Sequence, residues 1–359
     1  MITTGVSIYK LIKMEKENSE KQKARLRSFD ILKLFAIFLV IWGHCIQYLL
    51  SNDSLDNSIF RCISSFHMPL FMIVCGYFAS SSMRLTLKGI LYKKSKQLIL
   101  PCVSWTILIW IAWEVFVLWF IEGESNLSLG GFMQSIFYKF WFLKSAFLCY
   151  LLAYLGHRFG KYKLLGLLLT LLVSQVAGCF NVSNMYPCFL VGMVLNKNVS
   201  LLKDKSKVVF LISFIFFLVM LCFWDKSFWQ IPDIRTALYD KDLNSTFLYS
   251  YRRFYRIIIG FAGSLTFISL FYFLFEKKGT SKIMDMCYEC GQYTLGIYML
   301  QSIIIETIMT RYVVLDNLGF VVFNFIVAPI LSILVLVICV KLIKYIQKNK
   351  VLTLLLIGK

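Results

Sequence analysis

Uninterrupted apolar runs of about 18 or more residues recur along most of this 359-residue chain. A run of that length spans the roughly 30 Å apolar core of a bilayer as a helix, and a soluble domain could not bury several of them. The composition agrees, with 59% hydrophobic and 16% charged residues. Because the runs are continuous rather than alternating, they exclude a membrane β-barrel. The sequence therefore predicts an all-α, polytopic transmembrane helical bundle.

Ten spans are predicted within one transmembrane domain of residues 29–345, between an N-terminal tail of residues 1–28 and a C-terminal tail of residues 346–359. The sixth span is too short to cross comfortably and contains Pro187, so it is expected to be broken, tilted or extended by polar residues. The predicted spans are 29–50, 59–80, 98–120, 138–156, 164–180, 185–195, 208–224, 257–275, 293–311 and 318–340.

The net charge of +19 would suggest a nucleic-acid partner in a soluble protein. Here Lys and Arg concentrate in the tails and in alternate connections, as expected of cytoplasmic segments in a membrane protein. Acidic residues are more frequent in the predicted outer connections. This asymmetry predicts that both termini lie in the cytoplasm and argues against nucleic-acid binding.

The 11 cysteines are scattered and lie mostly inside apolar runs. This usage is typical of small hydrophobic residues rather than of a disulfide framework. Cys287 and Cys290 have the spacing of a metal or redox pair, but no second pair completes a zinc site. No metal is therefore predicted.

Three ionisable residues lie in the first apolar run: Asp30, Lys33 and His44. Ionisable side chains are costly in a lipid-length helix and are by default candidates for function. Eleven residues separate Lys33 from His44, which is about three turns, or roughly 16 Å, and returns to nearly the same helix face. One face is thus expected to carry a polar track from the cytoplasmic edge to the outer half of the membrane.

A second histidine, His67, lies about eight residues into the next span, next to Met68 and Pro69. A short outer connection makes the first two helices antiparallel neighbours, so His44 and His67 are expected at similar depth. Pro69 adds a local break that frees backbone carbonyls. A single histidine in a membrane helix could simply form a hydrogen bond to a neighbouring helix. Two histidines at one depth instead favour a water-accessible cavity.

Weaker candidates surround this track. Four further polar residues, Glu114, Gln175, Gln301 and Glu306, are each candidates to line the same cavity. The basic run with Lys93, Lys94 and Lys96 is explained by its position in a predicted cytoplasmic connection. It could also bind the phosphates of a nucleotide-bearing donor. The outer connection 225–256 is rich in aromatic residues that suit sugar rings; its candidate substrate-binding residues are Trp229, Arg252, Arg253 and Arg256.

The motifs resemble the membrane acyltransferase-3 family over residues of about 28–345. Asp30, Lys33 and His44 look like the family's opening, and the Phe66–Phe78 stretch looks like its second helix. Weaker matches follow in the expected order at 98–101, 140–143 and 291–300. Lys33 in place of the more common Arg, together with the Phe-His-Met-Pro pattern at 66–69, resembles the fucose 4-O-acetylase-like branch.

The resemblance implies a ten-helix bundle that moves an acyl group, usually acetyl, from cytoplasmic acyl-coenzyme A to a glycan or glycolipid hydroxyl on the far side. It assigns catalysis to His44, a basic partner to Lys33 and an acid to Asp30. His67 would position groups or share protons. Many members have histidine where this chain has Gln301, which cannot titrate and is given no acid–base task. Arg and Lys differ in geometry, so a bidentate role at Lys33 is not assigned.

The predicted function is therefore that of a bacterial inner-membrane O-acetyltransferase with no permanently bound cofactor. Acetyl-coenzyme A would approach Lys33, Lys93, Lys94 and Lys96, and the acceptor would enter from outside. The alternative function is that of a transporter, a proton-coupled exporter of a polysaccharide precursor, since buried His, Glu and Lys also suit transport. A non-catalytic scaffold would need His44 and Lys33 to be replaceable by apolar residues.

Overall fold

A computed structural model of the chain describes residues 27–120, 129–176, 178–229, 243–275 and 281–359. It is helical throughout these ranges, without a strand, as predicted. The predicted N-terminal tail lies almost wholly outside the described residues. The first half contains helices α1 Arg27–Leu49, α2 Ser58–Tyr77, α3 Ser80–Met83, α4 Leu87–Lys94, α5 Leu100–Phe120, α6 Leu129–Tyr138, α7 Trp141–His157 and α8 Lys163–Val176.

The second half continues the bundle. It contains helices α9 Val182–Lys197, α10 Val199–Cys222, α11 Leu243–Phe275, α12 Lys282–Gly291, α13 Thr294–Ser302, α14 Thr310–Tyr312, α15 Phe320–Val322, α16 Ala328–Ile346 and α17 Lys350–Ile357. Short 3-10 turns lie at Ser54–Asp56, Gly160–Tyr162 and Lys226–Trp229. Three π-helical segments, Ser95–Ile99, Ile303–Met309 and Phe323–Val327, interrupt otherwise continuous helices.

Five described helices are long and apolar enough to cross a membrane: Arg27–Leu49, Ser58–Tyr77, Asp204–Cys222, Asn244–Phe275 and Phe320–Ile346. The segments Gly130–Tyr138 and Trp141–His157 would form a sixth if they act as one span, bent by 61°. Helices α8 and α9 occupy predicted spans but have only 14 and 16 residues. At 1.5 Å per residue they are about 21 and 24 Å long, shorter than a bilayer core. The membrane-helical class is confirmed, while ten spans and cytoplasmic termini stay predictions.

Local sequence sets the boundaries of α2. The side chain of Asn57 accepts hydrogen bonds from the backbone N–H groups of Ile59 and Phe60, which caps the helix start. Pro69 lies inside α2 and removes one backbone donor, as its position in the sequence predicts. The histidine of this helix is thus placed beside a weakened stretch of backbone.

Helices α2 and α9 touch through glycines. A Cβ atom added to Gly76 would overlap the carbonyl oxygen of Phe189, and one added to Gly192 would overlap that of Ile73. Only glycine allows the two backbones to approach so closely, as small residues do in other membrane bundles. This contact holds together α2 and α9, which both contribute residues to the cavity described below.

The predicted C-terminal tail is a packed helix rather than an extended segment. The carbonyl of Leu356 accepts a hydrogen bond of 2.8 Å from the indole Nε1 of Trp105 in α5, and Leu356 and Ile357 are buried. A Cβ atom on Gly358, which has a φ of +73°, would press on the backbone of Lys96 and Gln97. Helix α17 therefore covers the end of the bundle that carries the basic run.

Candidate active site

One cavity of about 400 Å³ lies inside the bundle, where α1 and α2 face α7, α9, α11 and α13. Both predicted membrane histidines line it. Aliphatic residues such as Val40, Ile63 and Met185 form part of the wall. The wall also contains aromatic and polar side chains: Tyr48, Ser64, Tyr138, Lys139, Trp141, Asn181, Asn184, Trp224, Trp229, Arg256, Tyr298, Gln301 and Glu306. The volume and the mixture of aromatic and polar groups suit a small ligand such as a sugar ring.

His44 is held by two side chains of the ninth predicted span. Its Nδ1 atom lies 2.9 Å from Oε1 of Gln301 and 3.3 Å from Oε1 of Glu306. The ring meets Tyr48 edge-on, with centroids 5.6 Å apart. The side chain is 21% exposed, so it reaches the cavity rather than being sealed among aliphatic neighbours.

The orientation of the Gln301 amide fixes the tautomer of His44. The amide nitrogen of Gln301 donates to the carbonyl of Tyr298 at 3.1 Å, which leaves the amide oxygen facing the imidazole. An amide oxygen only accepts, so Nδ1 of His44 carries the proton and donates it. In the neutral ring the other nitrogen, Nε2, then holds the lone pair and can act as a base.

Glu306 reaches His44 because the helix changes its winding. The segment Ile303–Met309 is a π-helix, and Thr310 Oγ1 donates to the carbonyl of Ile305 within it at 2.6 Å. A π segment adds a residue to a turn and is often found at functional sites. The sequence marked Glu306 only as one of several polar candidates, because a π segment leaves no signal in hydrophobic periodicity.

His67 is held through its own helix. Its Nδ1 atom lies 2.8 Å from the carbonyl oxygen of Ile63. A carbonyl only accepts, so Nδ1 carries a proton here as well, and in the neutral ring the lone pair lies on Nε2. In their neutral forms the two imidazoles of the cavity therefore have the same tautomer, with Nε2 as the basic nitrogen.

A bend between α6 and α7 presents Lys139 to the cavity. Phe140 has a φ of +54° and lies at the bend of 61° between the two helices. The ammonium of Lys144 donates to three carbonyls of the α6 end: those of Ile136, Phe137 and Lys139, at 2.5 to 2.7 Å. A cation at a helix C-terminus satisfies carbonyls that have no partner within the helix.

Lys139 and Glu306 also line a second cavity of about 230 Å³, together with Ser135, Thr307 and Arg311. The two residues lie within electrostatic range of one another. They stand at the boundary between both cavities, so the charged pair separates the histidine chamber from this neighbouring space. Neither Lys139 nor Lys144 was identified from the sequence, although both flank the aromatic stretch at 140–143.

Asp30 and Lys33 lie apart from the cavity. They form an ion pair with one another, with side chains 14% and 24% exposed. Val40 is the α1 residue nearest to them that lines the cavity. The 14 residues from Asp30 to His44 span about 21 Å of helix, so the geometry brings Asp30 no closer to the imidazole. Its assignment as a catalytic acid stays a prediction without support from the cavity.

The three lysines of the basic run differ in their burial. Lys94 is buried, with Nζ 3.6 Å from the centre of the Tyr150 ring, whereas Lys93 is exposed and Lys96 is partly buried. Lys33 and Lys94 both lie within electrostatic range of the Cys75 thiol. Two of the four predicted donor-binding lysines are therefore brought together, at the end of the bundle that α17 covers.

Of the other candidates from the sequence, two line the cavity. Trp229 and Arg256 line the cavity, with the guanidinium 4.7 Å from the indole ring centre. Arg252, Arg253 and Gln175 are absent from its lining among the described residues. The side chain of Glu114 lies outside the described part of the chain. Where the structure is described, no group of His, Cys, Asp and Glu is arranged to hold a metal ion.

Comparisons with known proteins place this site in context. A family profile described as an acyltransferase domain matches residues 26–344. The nodulation protein NolL of Mesorhizobium japonicum is 33% identical over 129 residues, 35% of this chain and 34% of that protein. NolL of Sinorhizobium fredii is 30% identical over 138 residues, 37% of each chain. The matches therefore cover about a third of each relative's length. No solved structure matches the chain.

Proposed function

The chain belongs to the acyltransferase 3 family, as its motifs predicted, and on this basis we propose that it is a membrane O-acetyltransferase. It moves an acetyl group from cytoplasmic acetyl-coenzyme A to a sugar hydroxyl of a glycan or glycolipid at the outer face. The observation that carries the proposal is the 2.9 Å contact of His44 Nδ1 with the Gln301 amide oxygen, which leaves Nε2 of the neutral ring as the base in a cavity lined largely by aromatic and polar groups.

His44 supplies the general base. Its Nε2 takes the proton of the acceptor hydroxyl while the oxygen attacks the thioester carbonyl. The C–O bond forms, the C–S bond breaks, and the coenzyme A thiolate leaves and recovers the proton from the imidazolium. During this step the ring is positively charged, and the Glu306 carboxylate 3.3 Å from Nδ1 stabilises that charge. The proton balance closes without any group beyond the two substrates and His44.

Two routes for the acetyl group fit the same residues. In direct transfer, donor and acceptor meet at His44 together. In the other route, Nε2 attacks the thioester first, and an acetyl-histidine then reacts with the acceptor. The donor enters in both cases from the end where Lys33 and Lys94 gather, since ammonium groups suit the phosphates of coenzyme A.

The acceptor side is supported by the relatives. Two of them are nodulation proteins by name. The matching motifs at 30–44 and 66–69 resemble the fucose 4-O-acetylase-like branch. We therefore assign the acceptor to the sugars of a cell-surface glycan or glycolipid, and the protein to the inner membrane of a bacterium.

Transfer of labelled acetyl groups in membranes tests the proposal. Membranes with the parent protein and [¹⁴C]acetyl-coenzyme A should label endogenous glycan, and His44→Ala should lower that labelling by about a hundredfold or more, the scale of a lost general base. His157→Ala is the matched control, because His157 bonds Lys163 outside the cavity. Equal labelling by His44→Ala and the parent would rule out the assignment.

Two further measurements separate the remaining alternatives. Rapid mixing with acetyl-coenzyme A in the absence of acceptor separates the two routes. The two-step route releases about one equivalent of coenzyme A per active site in a burst that His44→Ala abolishes, and direct transfer gives no such burst. A transporter would instead move glycan precursor into vesicles without consuming acetyl-coenzyme A. Family membership favours the transferase over that alternative.

A further inference from the structure

Two hydrogen-bond donors in the cavity wall have no acceptor. The indole Nε1 of Trp229 is buried and makes no hydrogen bond within the described structure. Arg256 lies over the ring of the same tryptophan, and no hydrogen bond or ion pair joins its guanidinium to any described residue. A buried donor without an acceptor costs free energy, so such groups usually await a ligand.

The charges of the cavity leave Arg256 as the cation without a counter-charge. Glu306 is the one carboxylate among the described lining residues, and it faces His44 and Lys139. A guanidinium stacked on an aromatic face keeps its in-plane N–H groups free for hydrogen bonds. Among the described lining residues, Arg256 is thus a fixed positive group with several donors and no carboxylate to occupy them.

Packing holds this pair in place in the chamber wall. Arg256 lies one turn before Gly260 on α11, and a Cβ atom on Gly260 would press against Pro69 of α2. Trp229 stacks on Phe60 with ring centres 6.2 Å apart. The arginine and the indole are therefore fixed against α2, which also carries His67.

We propose that Arg256 and the indole N–H of Trp229 form a subsite for an anionic group on the acceptor, either a sugar carboxylate or a glycosyl phosphate. This inference rests on the proposed function, because it assigns the class of acceptor that the His44 base would deprotonate. The anion would bind at Arg256 while a hydroxyl of the same ligand reaches the free Nε2 of His44. A lipid-linked sugar would supply the phosphate, and an acidic polysaccharide would supply the carboxylate.

Binding of three matched sugars to the purified full-length protein in nanodiscs tests the subsite. The probes are methyl glucuronide, glucose 1-phosphate and methyl glucoside, followed by quenching of tryptophan emission. We expect one or both anions to bind about tenfold or more tightly than methyl glucoside, in keeping with charge-assisted hydrogen bonds. Tighter binding of the glucuronide would indicate an acidic glycan, and tighter binding of the phosphate a lipid-linked sugar.

Substitutions connect the preference to the residues. Arg256→Gln should bind the three probes with affinities within about twofold of one another, and Arg256→Lys should keep part of the anion preference. Arg61→Gln is the matched control, since it removes the same charge at the outer end of α2 but outside the cavity lining. Equal binding of all three probes by the parent, binding of none, or an unchanged preference in Arg256→Gln would overturn the subsite.

These outcomes are independent of the transfer assay. Labelled acetyl transfer that depends on His44, together with equal binding of the three probes, would reject the anionic subsite and leave the acetyltransferase proposal standing. Selective anion binding that depends on Arg256, without any His44-dependent transfer, would support an anion-binding cavity and reject the transferase chemistry.

Discussion

Nδ1 of His44 donates to the amide oxygen of Gln301 across 2.9 Å, and this bond joins the first predicted span to the ninth. The two residues are 257 positions apart in the chain. Because the amide nitrogen of Gln301 donates to the Tyr298 carbonyl, the amide oxygen faces His44 and accepts the hydrogen bond from Nδ1. Gln301 is therefore a positioning residue that acts through His44.

Removing that bond should reduce turnover without removing the base itself. We expect Gln301→Met to lower kcat by about tenfold to a hundredfold, because the imidazole can then rotate and exchange tautomers. The acceptor KM should change little. The measurement is labelled acetyl transfer at several acceptor concentrations.

Gln175→Met is the control for this prediction. Gln175 is also a partly buried membrane glutamine, and it bonds Ser174 and the Ser183 carbonyl away from the cavity. A fall in kcat that is equal in both variants would show a general packing effect and would contradict a specific role for Gln301.

Glu306 should matter through its charge. Glu306→Gln keeps the shape of the side chain but removes the carboxylate that faces Nδ1 at 3.3 Å. The imidazolium that forms during transfer then lacks its counter-charge, and we expect kcat to fall by about tenfold. Glu289→Gln removes a carboxylate that pairs with Lys344 at the surface and should leave kcat as in the parent. A parental kcat for Glu306→Gln would contradict the role of this charge.

The sequence predicted the chamber better than it predicted the partners within it. Residues His44 and His67 stand out because ionisable groups are rare in apolar runs, and a short loop forces their helices to be neighbours. Gln301 could not be assigned a role, since its function depends on which atom faces His44. Arg256 and Trp229 were chosen by composition, whereas Arg252 and Arg253 on the same run do not line the cavity. These three arginines belong to α11, and their positions around that helix decide which of them reaches the cavity.

The cytoplasmic candidates show a second limit of sequence reasoning. The alignment of Lys33 with His44 on one helix face is correct as geometry, yet the Lys33 ammonium is taken up by Asp30 one turn away. Lys94 was grouped with its neighbours by charge alone. Its burial against Tyr150 depends on how α4 packs on α7, which no local pattern reports.

An exposed ion cluster lies close to Trp229 in the chain. Lys226 lies 2.8 Å from Asp56 and 3.3 Å from Asp53, three residues before Trp229. The backbone N–H of Leu55 and the Lys226 ammonium hold the pKa of Asp53 below its ordinary value. The Asp53 interaction is therefore complete above a pH of about 3.9, the unfolded value, and is lost only as pH falls through the lower folded value.

This cluster should consequently contribute no pH dependence between pH 5.5 and 8. We expect the curves of acceptor KM against pH to be parallel for the parent and for Lys226→Met. The offset should be within about threefold and should shrink at high salt, as for an exposed ion pair. Curves that diverge across this range would show that another titrating group depends on Lys226.

The bend between α6 and α7 should depend on Lys144. Lys144→Met leaves three carbonyls of the α6 end without their donor, and a hydrogen bond to a charged group contributes roughly 1.5–3 kcal/mol. We expect a lower temperature of thermal inactivation and a lower rate of acetyl transfer, because Lys139 and Trp141 lose their positions. Lys144→Arg should recover part of both. Lys161→Met, at an exposed turn, should resemble the parent in both measurements.

The glycine contact between α2 and α9 makes the most direct structural prediction. A methyl group at Gly192 would overlap the carbonyl of Ile73 and come within 2.8 Å of the Tyr77 amide nitrogen, and both are backbone atoms that cannot rotate away. The helices must separate, so Gly192→Ala should lower the yield of folded protein and its thermal stability by an amount typical of an overpacked core, about 1–3 kcal/mol. Gly319→Ala is the matched control, since no atom lies within 4 Å of its added methyl group. Fluorescence-detected size exclusion after a heat step measures both variants. Equal stability of Gly192→Ala and Gly319→Ala would contradict the close approach of the two helices.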